Sequence, residues 1–296
     1  MKDYEIIAPI QKIEDMEKLK HVQGIVIGMP FYSVRSLSAF SKGEVLTCIK
    51  KGHELHKNVY FLLNKFFMED ELERLKLILT FLKRTDIDGI YFTDMGVYEE
   101  AKKLNIQDKL IYDPTTLLTN SMDVNEYLNL EIKRCVLSKE IPLEDMLSIG
   151  LKSQGDLEVV IHGRLLMMHS KRELVTSYME HEQMDLDPKE KTYTIQEESR
   201  EGHMPIQEDE QGTHVYSSFT LCSFEEVNEI VDANIRYLRI EGLYLSVDDI
   251  EDAAKDYVSV LSYEQDGRSL FHEYERKYPQ QDIAKGFLYK KTGLKK

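Results

Sequence analysis

Short, almost continuously apolar runs recur along the chain and alternate with stretches of helical periodicity. The runs are Tyr4–Ile10, Gly24–Met29, Val59–Leu63, Gly89–Thr93, Lys109–Tyr112, Arg134–Leu137, Leu157–Ile161 and Tyr237–Ile240. Runs that are apolar throughout, and not only at every second position, are typical of parallel strands covered on both faces. The pattern therefore predicts a parallel sheet with strands at these eight places.

Helical patterns fill most of the intervals between these strands. In Glu69–Arg84, leucines recur at helical spacing, with acidic residues in the first turn and basic residues in the last, as the helix dipole favours. Further helices are predicted at Gly96–Leu104, Pro142–Ile149, Phe224–Asp232 and Val247–Leu261. This alternation predicts an α/β fold, either a doubly wound sheet or a (β/α) barrel of the TIM type. We expect the barrel, distorted or incomplete because the strand spacing is irregular.

A polar, acid-rich segment interrupts the alternation. Residues 179–218 contain three short alternating runs and a DEQGT turn, which predict a small antiparallel β insertion on the rim of the barrel. The first part of the barrel is then expected at 1–178, its completion at 219–265, and a C-terminal helix with a basic tail at 266–296.

Charge and composition exclude several classes of protein. The 296 residues include 38 Lys and Arg against 53 Asp and Glu, a net charge of −15. Such a chain does not coat nucleic acid by bulk electrostatics, although a local basic site such as the tail Lys290–Lys296 remains. Cys48, Cys135 and Cys222 form no CxxC pair, which argues against a disulfide framework or a four-cysteine zinc site. No apolar run is long enough for a membrane span and no signal core is present, so we expect a cytoplasmic protein without membrane contact.

Polar side chains follow several of the predicted strands. They are Asn64, Asp94, Asp113, Glu140 and His162. In (β/α) barrels, functional residues lie where the strands end and the following loops begin. Polar residues also mark strand ends that have no function, and this alternative stays open.

Two of these strand ends carry a charged constellation. It consists of Glu158, His162, Gly163, Arg164, Arg239 and Glu241. Strand alternation places Arg239 and Glu241 on the same face, and guanidinium groups bind carboxylates in a bidentate manner. The set suits a clamp for a carboxylated small molecule, but an ordinary Arg–Glu pair that closes the barrel explains it as well.

Familiar catalytic and nucleotide-binding motifs are missing from the sequence. It contains no GxxxxGK[ST], GxGxxG, GxSxG or HExxH pattern, which argues against a P-loop, a Rossmann site, a nucleophile elbow and a zinc protease. His162 and His169 are seven residues apart and lack the spacing of a metal pair. We expect no metal site.

The stretches EVVIHGRLLMMHS and RIEGLYLS resemble the collagenase-like peptidase family U32. Further segments that resemble this family are YEIIAPIQKIEDMEKLK, GIVIGMPFYSVR, VYFLLN, GIYFTDMG, CVLSKEIPLEDM and MPIQEDEQGTHVYSS. The resemblance covers nearly the whole chain. With it, we predict His162, Glu158 and Glu241 as catalytic residues, and Arg164, Gly163, Arg239, Asn64, Asp94 and Glu140 as substrate-binding residues.

The chain departs from the family pattern after His162–Gly163. Many members place cysteines there that hold an iron–sulfur cluster, whereas this chain has Arg-Leu-Leu-Met-Met. Only Cys222 falls where a family cysteine could lie, and one thiolate cannot hold a four-iron cluster. We therefore expect no cluster and no other cofactor bound by this chain.

The resemblance implies three kinds of activity, namely collagenase-type proteolysis, oxygen-independent hydroxylation in ubiquinone synthesis, and hydroxylation of RNA bases. The short form without cluster cysteines resembles the smaller of two paired proteins that use prephenate to hydroxylate the wobble uridine of tRNA. Our hypothesis is a subunit in that reaction, with prephenate as co-substrate, a longer paralogue as partner, and tRNA reached through the partner and the basic tail. The alternatives are a collagenase-like protease and a non-catalytic scaffold for the longer paralogue.

Overall fold

The computed structural model describes residues 3–184, 187, 192–196 and 202–290. Twelve strands lie within these ranges: β1 Glu5–Pro9, β2 Gly24–Ile27, β3 Asn58–Leu63, β4 Gly89–Phe92, β5 Leu110–Tyr112, β6 Arg134–Val136, β7 Asp156–Ser170, β8 Tyr193–Gln196, β9 His203–Asp209, β10 Gly212–Cys222, β11 Tyr237–Ile240 and β12 Ile283–Ala284. All eight strands predicted from apolar runs are present. The six residues 291–296 of the predicted basic tail lie outside the described residues.

Eight of the strands form a closed parallel ring. Strands β1 to β7 are neighbours in chain order, and β11 pairs in parallel with both β1 and β7. The predicted TIM-like barrel is thus confirmed, and it is complete. Its irregularity lies at the closing seam, where Arg239 pairs with Val160 and Ile240 with His162, so that Ile161 has no opposite residue. This is a β-bulge in β7.

Helices cover the outside of the ring. The helices of the described ranges are α1 Asp15–Lys18, α2 Lys42–Glu54, α3 Leu72–Lys83, α4 Met95–Lys103, α5 Ser121–Leu128, α6 Leu143–Lys152, α7 Leu174–His181, α8 Val227–Asp232, α9 Val247–Leu261 and α10 Gly267–Lys277. Of these, α7 packs against β9 and β10 and not against the ring. The hydroxyls of Ser41 and Ser246 cap α2 and α9 in full capping boxes, which satisfy the free backbone amides of the first turn. None of the helices in the described ranges is long and apolar enough to cross a membrane.

The apolar side chains form two layers. The larger layer lies between the ring and its helices, as the apolar runs predicted. The smaller one fills the barrel interior and consists of Ile7, Val26, Tyr60, Tyr91, Ile111 and Val136. Strands that contribute to both layers are apolar at consecutive positions.

Strand β7 is longer than predicted and leaves the ring. It runs to Ser170 and pairs antiparallel with β10, which pairs with β9, which in turn pairs with β8. The predicted antiparallel insertion is confirmed, but the strand end predicted at His162 is wrong. Gly163 lets the strand continue: its φ is +105°, and a Cβ there would lie 2.2 Å from the carbonyl oxygen of Glu241. Only glycine fits this conformation and this close approach.

Candidate anion-binding cleft at the barrel mouth

A cleft opens at the carboxyl ends of the barrel strands. It has about 750 Å³ of empty space when the open solvent at its mouth is included. Its charged lining consists of Arg35, Lys139, Arg164, Arg239, Asp113 and Glu241. Four cations and two acids give the cleft an excess of positive charge in a protein whose net charge is −15.

Arg239 is surrounded by carboxylates. Its Nη1 lies 2.9 Å from Asp113 Oδ2 and 3.2 Å from Glu158 Oε1, and its Nη2 lies 3.1 Å from Glu241 Oε1. Burial alone would lower the pKa of Arg239, but the three acids raise it. Because its charge is already compensated, Arg239 fits the Arg–Glu pair at the barrel closure better than a clamp for a ligand.

Glu158 lies below the cleft in a buried network. Its Oε2 is 2.8 Å from Arg134 Nε and accepts a 2.8 Å hydrogen bond from the Tyr91 hydroxyl. Both Glu158 and Arg134 are fully buried. Burial raises the pKa of Glu158 despite the opposing effect of Arg134 and Arg239. Glu158 therefore holds two arginines in place and does not line the cleft.

The other three cations of the cleft have different surroundings. Within the described residues, no carboxylate oxygen lies within ion-pair distance of Arg35, Lys139 or Arg164. Arg164 donates from Nη1 to the carbonyl oxygen of Ser217 at 2.6 Å. Burial lowers the pKa of Lys139 to about 8, against the raising effect of Glu241 and Asp113. An anion that enters the cleft meets three cations that form no ion pair with an acid of the described residues.

Three of the predicted substrate-binding residues, Asn64, Arg164 and Arg239, line the cleft. Asn64 accepts a hydrogen bond from the amide of Val34 at 2.8 Å and donates to its carbonyl at 3.1 Å. It thereby fixes the loop that carries Arg35. Asp94 caps α4 and accepts from the amide of Phe67, so it has a structural role away from the cleft. Glu140 lies beside Lys139 but is not part of the lining.

The structure does not bring His162 into the cleft. Its ring packs among Phe224, Tyr257 and Tyr274, on the helix side of the ring of strands. The bulge at Ile161 breaks the alternation that begins with Glu158 inside the barrel. The carbonyl oxygen of Ile161 accepts from the amide of Ser223 and the hydroxyl of Tyr257, and these bonds stabilise the bulge. Burial lowers the pKa of His162 to about 4, which keeps the ring neutral.

Arg35 and Lys139 are the charged cleft residues that the sequence did not single out. Lys139 precedes the predicted Glu140 in the loop after β6, a position that the barrel-end rule covers. Arg35 lies in the loop between β2 and α2, where no residue type or spacing distinguishes it from a surface arginine. Its place became visible only with the fold.

No metal centre or activated nucleophile is evident in the part of the chain that the structure describes. It holds no group of three or more His, Cys, Asp or Glu side chains placed to bind a metal ion. Cys48, Cys135 and Cys222 are all buried, and burial raises the pKa of each thiol to about 12. These thiols are poor nucleophiles at neutral pH. That the chain binds no iron–sulfur cluster stays a prediction.

The amino-acid sequence is similar to those of several characterised and uncharacterised proteins. The chain is 27% identical over 280 residues to "tRNA hydroxylation protein P2" of Bacillus subtilis, covering 90% of this chain and 91% of that protein. It is 25% identical over 237 residues to an uncharacterized protease of Methanocaldococcus jannaschii, covering 77% of this chain and 57% of that protein.

A solved structure shares the fold. The U32 peptidase Mk0906 superposes with a TM-score of 0.53 and 12% identity, over 81% of this chain and 93% of that one. The model of peptidase family U32 matches residues 14–296, and the chain therefore belongs to peptidase family U32.

Proposed function

We propose that this chain is a cytoplasmic subunit for the 5-hydroxylation of the wobble uridine in tRNA, and that its cleft binds prephenate as co-substrate. The observation that carries the proposal is the set of three cations, Arg35, Lys139 and Arg164, that face the cleft without a carboxylate partner in the described structure. The likeness to the tRNA hydroxylation protein of Bacillus subtilis, which extends over nine tenths of both chains, supports the reaction.

A small dicarboxylate matches the charge of the cleft. Prephenate carries two carboxylates, and guanidinium and ammonium groups in a half-buried cleft bind such groups by charge-assisted hydrogen bonds. The fixed pair of Arg239 and Glu241 forms one wall of the cleft. The unpaired cations, and not Arg239, are the groups we assign to the carboxylates.

The tRNA needs a second source of positive charge. Binding of nucleic acid depends on cations that displace counterions from phosphates, and this chain has a net charge of −15. We propose that a longer paralogous subunit makes most of the phosphate contacts and that the basic tail Lys290–Lys296 of this chain adds to them.

Proteolysis has less support. A peptidase needs an activated nucleophile or a metal-bound water, and the described residues offer buried cysteines and no metal-binding group. Cleavage of denatured collagen by the purified chain would favour this alternative, provided that a variant of the cleft loses the cleavage.

Deletion of the gene tests the proposed reaction. Bulk tRNA from the deletion strain is digested to nucleosides and analysed by mass spectrometry. We expect 5-hydroxyuridine derivatives to fall at least several-fold and to return when the gene is supplied on a plasmid. Unchanged levels in a strain that also lacks any longer paralogue would contradict the proposal.

A further inference from the structure

A pair of histidines lies next to the wall of the cleft on the antiparallel strands. In the pairing of β7 with β10, Leu166 lies opposite Tyr216 and His169 lies opposite His214. Leu166 and Tyr216 line the cleft. The register shifts between Val215 and Tyr216, with Met167 of β7 as the extra residue, so β10 keeps its alternation and His214 lies on the same face as Tyr216. The histidine pair does not line the cleft itself but lies next to its wall, two residues along β10 from Tyr216.

The pair forms a hydrogen-bonded chain with Asp209. The Nδ1 atoms of His169 and His214 are 3.0 Å apart and the two rings are nearly parallel, at 7°. His214 Nε2 lies 3.3 Å from Asp209 Oδ1. His214 is buried, whereas His169 is half-buried. A carboxylate only accepts, so Nε2 of His214 carries a proton and donates it.

The hydrogen bond between the two Nδ1 atoms links the tautomers of the two rings. We assign Nδ1 of His169 as its donor and Nδ1 of His214 as its acceptor, the arrangement in which Nε2 of His214 donates to Asp209. The proton of a neutral His169 then sits on Nδ1, and its Nε2 bears a lone pair. Among the described residues, Nε2 of His169 has no hydrogen-bond partner.

The charge of Arg35 connects the histidines to the cleft. It lowers the pKa of both Lys139 in the cleft and His169 beside it, so its guanidinium lies near both. Burial, followed by His214 and Arg35, lowers the pKa of His169 to about 4. The ring is thus neutral at physiological pH and offers an acceptor beside three cations.

We propose that Nε2 of His169 accepts a hydrogen bond from a hydroxyl group of the cleft ligand, and that His214 and Asp209 position it. The ligand class that follows is a polycarboxylate with a free hydroxyl, because the cations bind carboxylates and cannot accept from a hydroxyl. The inference rests on the proposed role of the cleft as a carboxylate site. Prephenate, which bears a hydroxyl and two carboxylates, belongs to this class.

A matched pair of probes tests the acceptor. Citrate and tricarballylate have the same three carboxylates and differ by one hydroxyl. Calorimetric titration of the purified full chain should give a dissociation constant about tenfold lower for citrate, as one hydrogen bond in a half-buried site supplies. Equal affinities, or no binding of either probe at millimolar concentration, would overturn the proposal.

Variants separate the acceptor from a structural role. His169→Asn keeps an amide donor towards His214 but removes the acceptor at Nε2, so the citrate preference should vanish while the melting temperature stays near that of the wild type. His169→Gln, with an amide group near the place of Nε2, should restore part of the preference. Lys139→Met should weaken the binding of both citrate and tricarballylate and leave the ratio of their dissociation constants unchanged. If His169→Asn kept the full preference for citrate over tricarballylate, the inference would be contradicted.

The protonation state is tested separately. Side-chain ¹⁵N spectra of histidine should show His169 with its proton on Nδ1, the less common tautomer in water, and the opposite tautomer would overturn the assignment. If the deletion strain keeps its tRNA modification while the citrate preference holds, the proposed function fails and the acceptor remains. If the deletion strain loses its tRNA modification and the purified chain shows no preference for citrate, the acceptor proposal fails and the proposed function stands.

Discussion

Arginine and lysine side chains at the barrel mouth fall into two groups according to their neighbours. Arg239 contacts three carboxylates at 2.9 to 3.2 Å, whereas Arg35, Lys139 and Arg164 contact none among the described residues. Only the second group has charge to offer a ligand, although the first attracts attention in the sequence through its Arg-Ile-Glu-Gly motif. The identity of a residue does not decide its role here, since the neighbours that compensate its charge come from other strands.

His162 makes a specific contribution to acid sensitivity. Its pKa is lowered from 6.5 to about 4 by burial, so the unfolded chain binds a proton between these values and the folded chain does not. Stability is therefore full above pH 6.5 and falls as the pH drops towards 4, by roughly 3 kcal/mol in all. We expect His162→Phe, which keeps the aromatic packing, to flatten this slope.

The measurement is urea unfolding of wild type and variant at pH 7.0 and 4.5. The exposed His181 supplies the control, because His181→Phe should leave the slope unchanged. Equal slopes for wild type and His162→Phe would show that His162 does not cause the acid sensitivity.

Gly163 is required by the backbone and not by the ligand. An alanine there would hold a φ of +105° and place its Cβ 2.2 Å from the carbonyl oxygen of Glu241, so we expect Gly163→Ala to lower the free energy of unfolding by about 2 kcal/mol or more. Gly43 in α2 has open space around its Cβ position. Gly43→Ala should be neutral or slightly stabilising. Similar unfolding midpoints for the two variants would refute this account of the His-Gly motif.

The junction of β7 and β11 shows what the sequence reveals of an element and what it does not. The apolar runs predicted all eight ring strands, because burial on both faces is a property of each strand by itself. The side chain of His162 points to the helix side of the barrel because of the bulge at Ile161. That bulge exists only because β11 pairs with β7 in this register. Helix α2 was not predicted from the sequence, for a different reason. Its apolar stripe, Val45, Cys48 and Ile49, is short and is bounded by Gly43 and Gly52.

Loss of Glu158 should weaken the same junction. Glu158 is the buried acid between Arg134 of β6 and Arg239 of β11. Removal of one partner from a buried ion pair typically costs about 3–5 kcal/mol, and we expect Glu158→Gln to fall in this range in urea unfolding. Glu241→Gln, which removes a partly exposed partner of Arg239, should cost about 1 kcal/mol or less. Equal losses for the two variants would contradict the assignment of Glu158 as the structural acid.

The distribution of charge over the protein bears on the proposal that a second subunit contacts the tRNA. Three half-buried cations, Arg35, Lys139 and Arg164, lie together at the mouth of the barrel without an ion pair to the described residues, and a small anion can reach them there. A reaction on tRNA then requires phosphate contacts from elsewhere. The family resemblance was recognisable from strand ends alone, but the placement of the cations in one cleft required the fold to bring together the loops after β2 and β6 and the extended part of β7.

The most direct test of the cleft as the working part of the protein is complementation of the deletion strain by single variants. Wild type, Lys139→Met and Lys76→Met are expressed at equal levels, and 5-hydroxyuridine derivatives are quantified in bulk tRNA. Lys76 is an exposed residue of α3, and its variant should restore the wild-type level. Lys139→Met should restore at most about a tenth of that level, as expected for the loss of about 1.4 kcal/mol or more of ligand binding. Full restoration by Lys139→Met would contradict a role for the cationic cleft in the reaction.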